Sequence, residues 1–269
     1  MSDFDRIELI DDVWKGKVMI GFKHVGVAGI SILLLLSCQT APITGRSQLI
    51  LVGDQEVQAL GLQAYQQMKE EMPRSNNQAL NRRVQEVGRR IAAVSPKPEW
   101  DWEFTLFEND NPNAFALPGG KVGVNTGLFK VAKNDDQLAT VIGHEVAHAI
   151  ARHGNERMSQ GLLAQGGVAA AGIATGGSGL ATAGSALAAQ YLFTLPNSRT
   201  QESEADHIGL LYMAEAGYNP RESVNLWLNM QAAGAGRQLE WMSTHPAPGN
   251  RILELERLMP EALAIYDRR

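Results

Sequence analysis

The chain has 269 residues, 44% hydrophobic and 20% charged, with a net charge of −5 and one cysteine, Cys38. That is enough for one domain with a sizeable core, in an ordinary globular composition. Without a basic stripe, nucleic acid is excluded as a partner. A single cysteine allows neither a disulfide framework nor a cysteine zinc site, so any metal site must use His, Asp and Glu.

The first feature along the chain is an apolar run, Val25 to Leu36, with Lys23 and His24 before it and Ser37 and Cys38 after it. A basic flank, an apolar run of about a dozen residues and a small-residue end describe a secretory signal. Leu35-Leu36-Ser37-Cys38 also resembles the bacterial lipobox, in which the cysteine is lipidated and becomes the mature N-terminus. By the same resemblance, Gln39 after the cysteine directs the protein to the outer membrane. Two other readings stay open: the uncharged window as far as Gly45 could be an uncleaved anchor, or Cys38 an ordinary thiol. Residues 1–18 carry Asp3, Asp5, Glu8, Asp11 and Asp12 against Arg6, Lys15 and Lys17, unlike a basic signal start, so translation is expected to start at Met19. The expected organisation is a leader over 1–37, a lipidated N-terminus and linker over 38–53, and a metallopeptidase domain over 54–269.

Asp54 can cap a helix that runs to about Met72, where Pro73 ends it. A second helix spans about Asn77 to Val94, with Leu80, Val84, Val87 and Ile91 on one face. Trp102, Phe104 and Leu106 alternate with polar residues as a strand. Asn113-Ala114-Phe115-Ala116-Leu117 is a second strand, Pro118-Gly119-Gly120 a turn, and Lys121-Val122-Gly123-Val124 a third strand. Glycine in a strand marks close approach of another backbone. A peptide substrate adding itself to this edge is one candidate for that backbone; a plain hairpin with a bulge is the other.

Asp135 or Asp136 caps the next helix, which is expected to end at Gly154. From Met158 to Ser198 there is no charged residue and much Gly and Ala. This stretch reads as a lid beside the site or as a buried helix pair. Ser198 can cap a helix from Arg199 to Ala216, and Asn219-Pro220-Arg221-Glu222 starts another that runs to about Ala233. A loop, Thr244 to Gly249, precedes a final helix with Ile252, Leu255 and Leu258.

Within the helix after Asp136 stands His144-Glu145-Val146-Ala147-His148. Positions four apart share a helix face, so both imidazoles can reach one zinc, with Glu145 beside it as general base. His153, nine residues after His144, is half a turn out of phase on a continuous helix and reads as structural. A zinc peptidase needs a third protein ligand and an open position for water. Glu202-Ser203-Glu204-Ala205-Asp206 supplies it. Glu202 and Asp206 share a face, so Glu202 can bind zinc while Asp206 accepts an N–H from a ligating histidine. Glu204 points about 200° away from Glu202.

HEVAHAIARHG followed by SRTQESEADHIG resembles the metallopeptidase family of the CAAX-prenyl endopeptidase, the bacterial stress-induced membrane protease and the periplasmic β-barrel assembly-enhancing protease. The resemblance covers about Asp54 to Arg257. It implies an α+β, mainly helical gluzincin-type domain, one Zn²⁺ per chain, and Glu202 as third ligand. It also implies a Thr-His-Pro loop with an arginine six residues on, here His245 and Arg251. In some members that histidine reaches the metal and holds the enzyme latent. NAFALPGGKVGVNTG resembles the family's substrate-binding edge, here Asn113, Ala114, Phe115, Ala116, Gly120 and Val122. The chain has neither the several spanning helices of some members nor a helical-repeat domain, which places it with the small lipoprotein members.

The sequence therefore points to a zinc endopeptidase of the bacterial cell envelope, at the periplasmic face of the outer membrane, acting on unfolded or misassembled envelope proteins. His245 or Arg251 would stabilise the oxyanion, with Tyr191 a further candidate, or His245 would act as a latch. The alternatives are an envelope chaperone with a latent zinc site and a zincin acting on small peptides or a modified terminus.

Overall fold

The computed structural model describes residues 38–164, 196–234, 240–245 and 250–269. The leader with Met19, the core of the glycine-rich stretch with Tyr191, and Pro246 to Gly249 lie outside the described residues. Among the described residues no helix is long and apolar enough to cross a membrane.

The stretch expected to be a linker is folded. Strands β1 (Cys38–Thr40) and β2 (Ser47–Leu49) pair antiparallel as a two-stranded ribbon. Ala41, Gln48, Ile50 and Val52 are buried. Arg46 explains the docking: its guanidinium reaches Glu156 and Glu204, two buried carboxylates more than a hundred residues away.

Helix α1 (Asp54–Glu71) begins at Asp54 itself, with Gly53 at the cap. It buries Val57 and Tyr65, whose hydroxyl meets Thr105 Oγ1 at 2.6 Å. Helix α2 (Gln78–Val94) is capped by Asn77, which accepts from Leu80 N–H, and buries Val84, Val87 and Ile91. The three-stranded sheet has the order β3 (Glu103–Phe107), β5 (Lys121–Asn125), β4 (Ala114–Leu117). Strand β5 is parallel to β3 and antiparallel to β4.

This order corrects the expected substrate edge. The glycine-bearing strand is central, paired on both sides, and Val122 is fully buried. The group approaching Gly123 is the Phe115 ring, whose Cζ would lie 2.2 Å from an added Cβ. Gly120 sits in the turn before the strand with φ +86°. Among the described residues β3 and β4 are the outer strands of this sheet.

Helix α3 (Asp135–Ile150) lies at the centre of the main core, buried from Gln137 to Ile150 except at the half-buried Thr140. Its cap is Asn134, which accepts from Gln137 N–H; Asp135 and Asp136 occupy the first turn, where the positive end of the helix dipole favours them. The helix stops earlier than expected. Arg152 adopts φ +59° and a new helix, α4 (His153–Ala164), begins at once.

Helix α5 (Arg199–Glu215) starts in a capping box, Ser198 Oγ accepting from Gln201 N–H and Gln201 Oε1 from Ser198 N–H. It packs most extensively on α3. At that crossing the two backbones touch: a Cβ on Gly143 would lie 2.9 Å from Gly209 O, and one on Gly209 2.7 Å from His144 N. Helices α6 (Glu222–Ala233) and α8 (Arg251–Tyr266) close the fold against α3 and α5, and the short α7 (Glu240–Thr244) adds Trp241 to the core.

Candidate active site

His144 and His148 stand one turn apart on α3 with ring centroids 4.5 Å apart and Nε2 atoms 2.9 Å apart. The capping box of α5 puts Glu202 in that helix's first turn, fully buried. Its Oε2 lies 3.5 Å from His144 Nε2 and its Oε1 3.3 Å from His148 Nε2. His245, which follows α7, joins them. One ligand atom from each of these four buried residues lies within 4.8 Å of the others.

The donor chemistry of this cluster fits a metal. His144 Nδ1 is 2.9 Å from Asp206 Oδ1, and His245 Nδ1 is 3.2 Å from Trp241 O. We assign the ring protons to these outward nitrogens, which leaves Nε2 lone pairs turned inward. Glu202 Oε1 is buried with no hydrogen-bond partner. Inward lone pairs and an orphaned carboxylate oxygen repel one another unless a cation lies among them. Three imidazole nitrogens and one carboxylate suit zinc.

Without a cation the electrostatics divide the set, His144 holding a proton that a metal would displace while His148 and His245 stay neutral. Burial and the Arg251 charge oppose protonation of His144, but Asp206 and Glu202 outweigh them and hold it up to about 9. Burial pushes His148 well below its ordinary value and His245 down to about 3. Burial also opposes ionisation of Glu202, yet His245, His144 and His148 hold it well below the carboxylate range.

Glu145 faces the other way from the core. Burial raises it to about 7. Its Oε1 accepts from Trp241 Nε1–H at 3.2 Å and lies 3.3 Å from His245 Nε2. Together with His148 and His245 it borders a cavity of about 570 Å³. Ala114, Phe115 and Ala116 of β4, and Asn113 just before it, line the same cavity.

Arg251 does not. It is 3% exposed and lies behind the ligands, where it donates to Glu202 Oε2 at 3.1 Å and to Asp206 Oδ1, under the Trp227 ring at 4.0 Å. The oxyanion role expected for it is therefore corrected: its donors hold the two carboxylates and do not reach the cavity.

His153 is the residue that sequence reasoning missed. On a continuous helix His153 would stand half a turn out of phase, but the break at Arg152 swings it back so that its Nδ1 lies 2.7 Å from His148 Nδ1. Glu204 points away from the metal set, as the helical angle requires, and meets His153 there at 3.0 Å. Against burial, His153, Thr44 and Arg46 hold Glu204 down to about 2.

The model of peptidase family M48 matches residues 78–259, which contain the whole ligand set. The chain belongs to peptidase family M48. Metallopeptidases of M48 use zinc, so the cofactor and the enzyme class read from the motif stand. The chain is 37% identical to the mitochondrial metalloendopeptidase OMA1 of Schizosaccharomyces pombe over 183 residues (66% of this chain, 53% of the relative). It is 31% identical to the mitochondrial metalloendopeptidase OMA1 of Bos taurus over 274 aligned positions (94% and 52%). It is 28% identical to the β-barrel assembly-enhancing protease of Escherichia coli K12 over 229 (81% and 47%). The chain thus spans about half the length of these curated relatives.

These names correct the location expected from the leader. Relatives matched over most of the M48 chain are mitochondrial in cattle, human and budding yeast. With relatives so named, the periplasmic face of a bacterial outer membrane does not stand.

Proposed function

We propose that this M48 chain is an endopeptidase that cuts extended segments of unfolded or misassembled proteins, as a step in protein quality control. The observation that carries the reading is that β4, an outer strand of the sheet among the described residues, and the general base Glu145 border one cavity. A folded substrate cannot lay its backbone along a strand edge; an extended one can, by adding its own N–H and C=O groups to the ladder.

His144, His148 and Glu202 hold the metal. Zinc, when bound, supplies Lewis acidity to the scissile carbonyl and to a water. Glu145 takes the proton and passes it to the leaving amine, a role suited to a carboxyl raised to about 7. His245 Nε2 occupies the space beside Glu145 and the other three ligand atoms, the place a water needs. This arrangement favours His245 as a latch that swings out when substrate enters the cavity. A lipid on Cys38 is proposed from Leu35-Leu36-Ser37-Cys38 alone.

Cleavage of a chemically unfolded protein by wild type and by Glu145→Gln at equal zinc content tests the reading. The variant should keep its zinc and lose about 10²–10⁴-fold in rate. A chaperone with a latent zinc site would instead suppress aggregation equally in both and cut nothing. Cleavage confined to short peptides would favour the small-peptide alternative.

A further inference from the structure

His148 offers Nε2 to the ligand set and turns Nδ1 the other way, and what meets that nitrogen is a second imidazole. His148 Nδ1 lies 2.7 Å from His153 Nδ1, and His153 Nε2 lies 3.0 Å from Glu204 Oε2. His153 is fully buried. The polarity of this chain of bonds follows from its far end. Glu204 receives the Arg46 Nε–H at 2.6 Å and the Thr44 hydroxyl, so it is a carboxylate and can only accept. His153 must therefore donate from Nε2. A neutral imidazole carries one ring proton, so His153 Nδ1 is left as an acceptor. His148 Nδ1–H donates to it, and His148 Nε2 keeps a free lone pair aimed at the metal position.

We propose that Glu204 and His153 form a two-step relay that sets the tautomer and aim of the zinc ligand His148, and that Thr44 and Arg46 of the N-terminal ribbon hold the relay's far end. All four are positioning residues. They lie outside the ligand set and do not line the cavity. His144 has a carboxylate directly on its Nδ1; His148 obtains the same fixation at one remove, through a second ring. The ribbon thereby becomes part of the metal centre although it lies about a hundred residues before His148 in sequence.

The inference rests on the zinc site described above, and the test separates the two. Zinc dissociation constants are measured in the full chain, by competition with a chelator, for wild type, Glu204→Gln, His153→Phe and Glu156→Gln. Glu156 is the control: it binds the same arginine at 2.8 and 2.7 Å, and its other partners are Gln48 and Gln201. Glu204→Gln and His153→Phe should weaken zinc about 10–100-fold. Glu156→Gln should lower the melting temperature while leaving zinc affinity at the wild-type value. Equal weakening by Glu204→Gln and Glu156→Gln, or weakening by neither relay variant, overturns the relay. A wild type that binds no zinc overturns the site itself. If the relay variants do not fold, ¹⁵N NMR of His148 in the metal-free wild type decides: an Nδ1-protonated ring supports the relay and an Nε2-protonated ring overturns it.

Discussion

His144 and His148 share one face of one helix, yet opposite ends of the chain steady them. Behind His144 stand Asp206 from α5 and Arg251 from α8, with Trp227 and Trp241 over the guanidinium at 4.0 and 5.4 Å. Behind His148 stand His153, Glu204 and, from the N-terminal ribbon, Arg46. The first support is dry: Arg251 is 3% exposed and Glu202 fully buried. The second opens to water at Arg46, whose side chain is 23% exposed. Charges buried without water depend entirely on their partners, whereas a charge near the surface can be rehydrated. The C-terminal support is thus bound up with folding itself, and the N-terminal one adjusts a centre that the rest of the fold already assembles.

The largest expected effect follows from that contrast. Arg251→Met leaves Glu202 and Asp206 buried without their cation and should cost about 3–5 kcal/mol of stability. Arg46→Met removes a cation that is itself partly exposed, so water can enter from its side toward Glu156 and Glu204, and it should cost less, about 1–3 kcal/mol. Urea unfolding of the metal-free chain measures both, and the reverse order would break the comparison.

A smaller effect sharpens it from the cavity side. Trp241 touches both Glu145 and Arg251. Trp241→Phe keeps an aromatic ring beside the guanidinium and removes the indole N–H. One hydrogen bond of about 0.5–1.5 kcal/mol corresponds to at most about a tenfold fall in kcat/KM. A loss of zinc in this variant would show that the tryptophan serves the dry support more than the base.

The smallest effect is acid dependence at the wet end. Burial would raise the Glu156 carboxyl, but Arg46 and Gln201 outweigh it and hold it below its ordinary 4.5. A folded-state pKa below the unfolded one contributes stability that is full above about 4.5 and fades as the pH falls further. The gap in melting temperature between wild type and Glu156→Gln should therefore be widest near pH 7 and shrink toward pH 3. A gap that widens in acid would contradict the assignment.

What could be read from the sequence was whatever depends on spacing within one element. His144, Glu145 and His148 share a helix, Glu202 and Asp206 share another, and each pair faces as the periodicity requires. What escaped depends on breaks and on partners far along the chain. His153 returns to the site because Arg152 leaves the helical region of φ, which phase counting along a continuous helix cannot foresee. For Glu204 the helical angle tells only that it points away from Glu202, because its partners, Thr44 and Arg46, lie in a stretch that reads as a linker. The central place of β5 is a property of strand order, which no single strand encodes. Arg251 is only six residues from His245, but it opens α8 and turns behind the ligands, so nearness in sequence misplaced it.

The bare crossing of α3 and α5 bears on how such a centre can change. Gly143 and Gly209 let main chain rest on main chain one residue from His144. The spacing between the motif helix and Glu202 is therefore gauged by peptide units, which are nearly incompressible, and mutation of the surrounding side chains leaves it alone. Drift in the neighbouring core can alter stability without retuning the ligand cage. An engineer seeking a larger ion would start by widening this contact at the glycines and leave the ligands as they are.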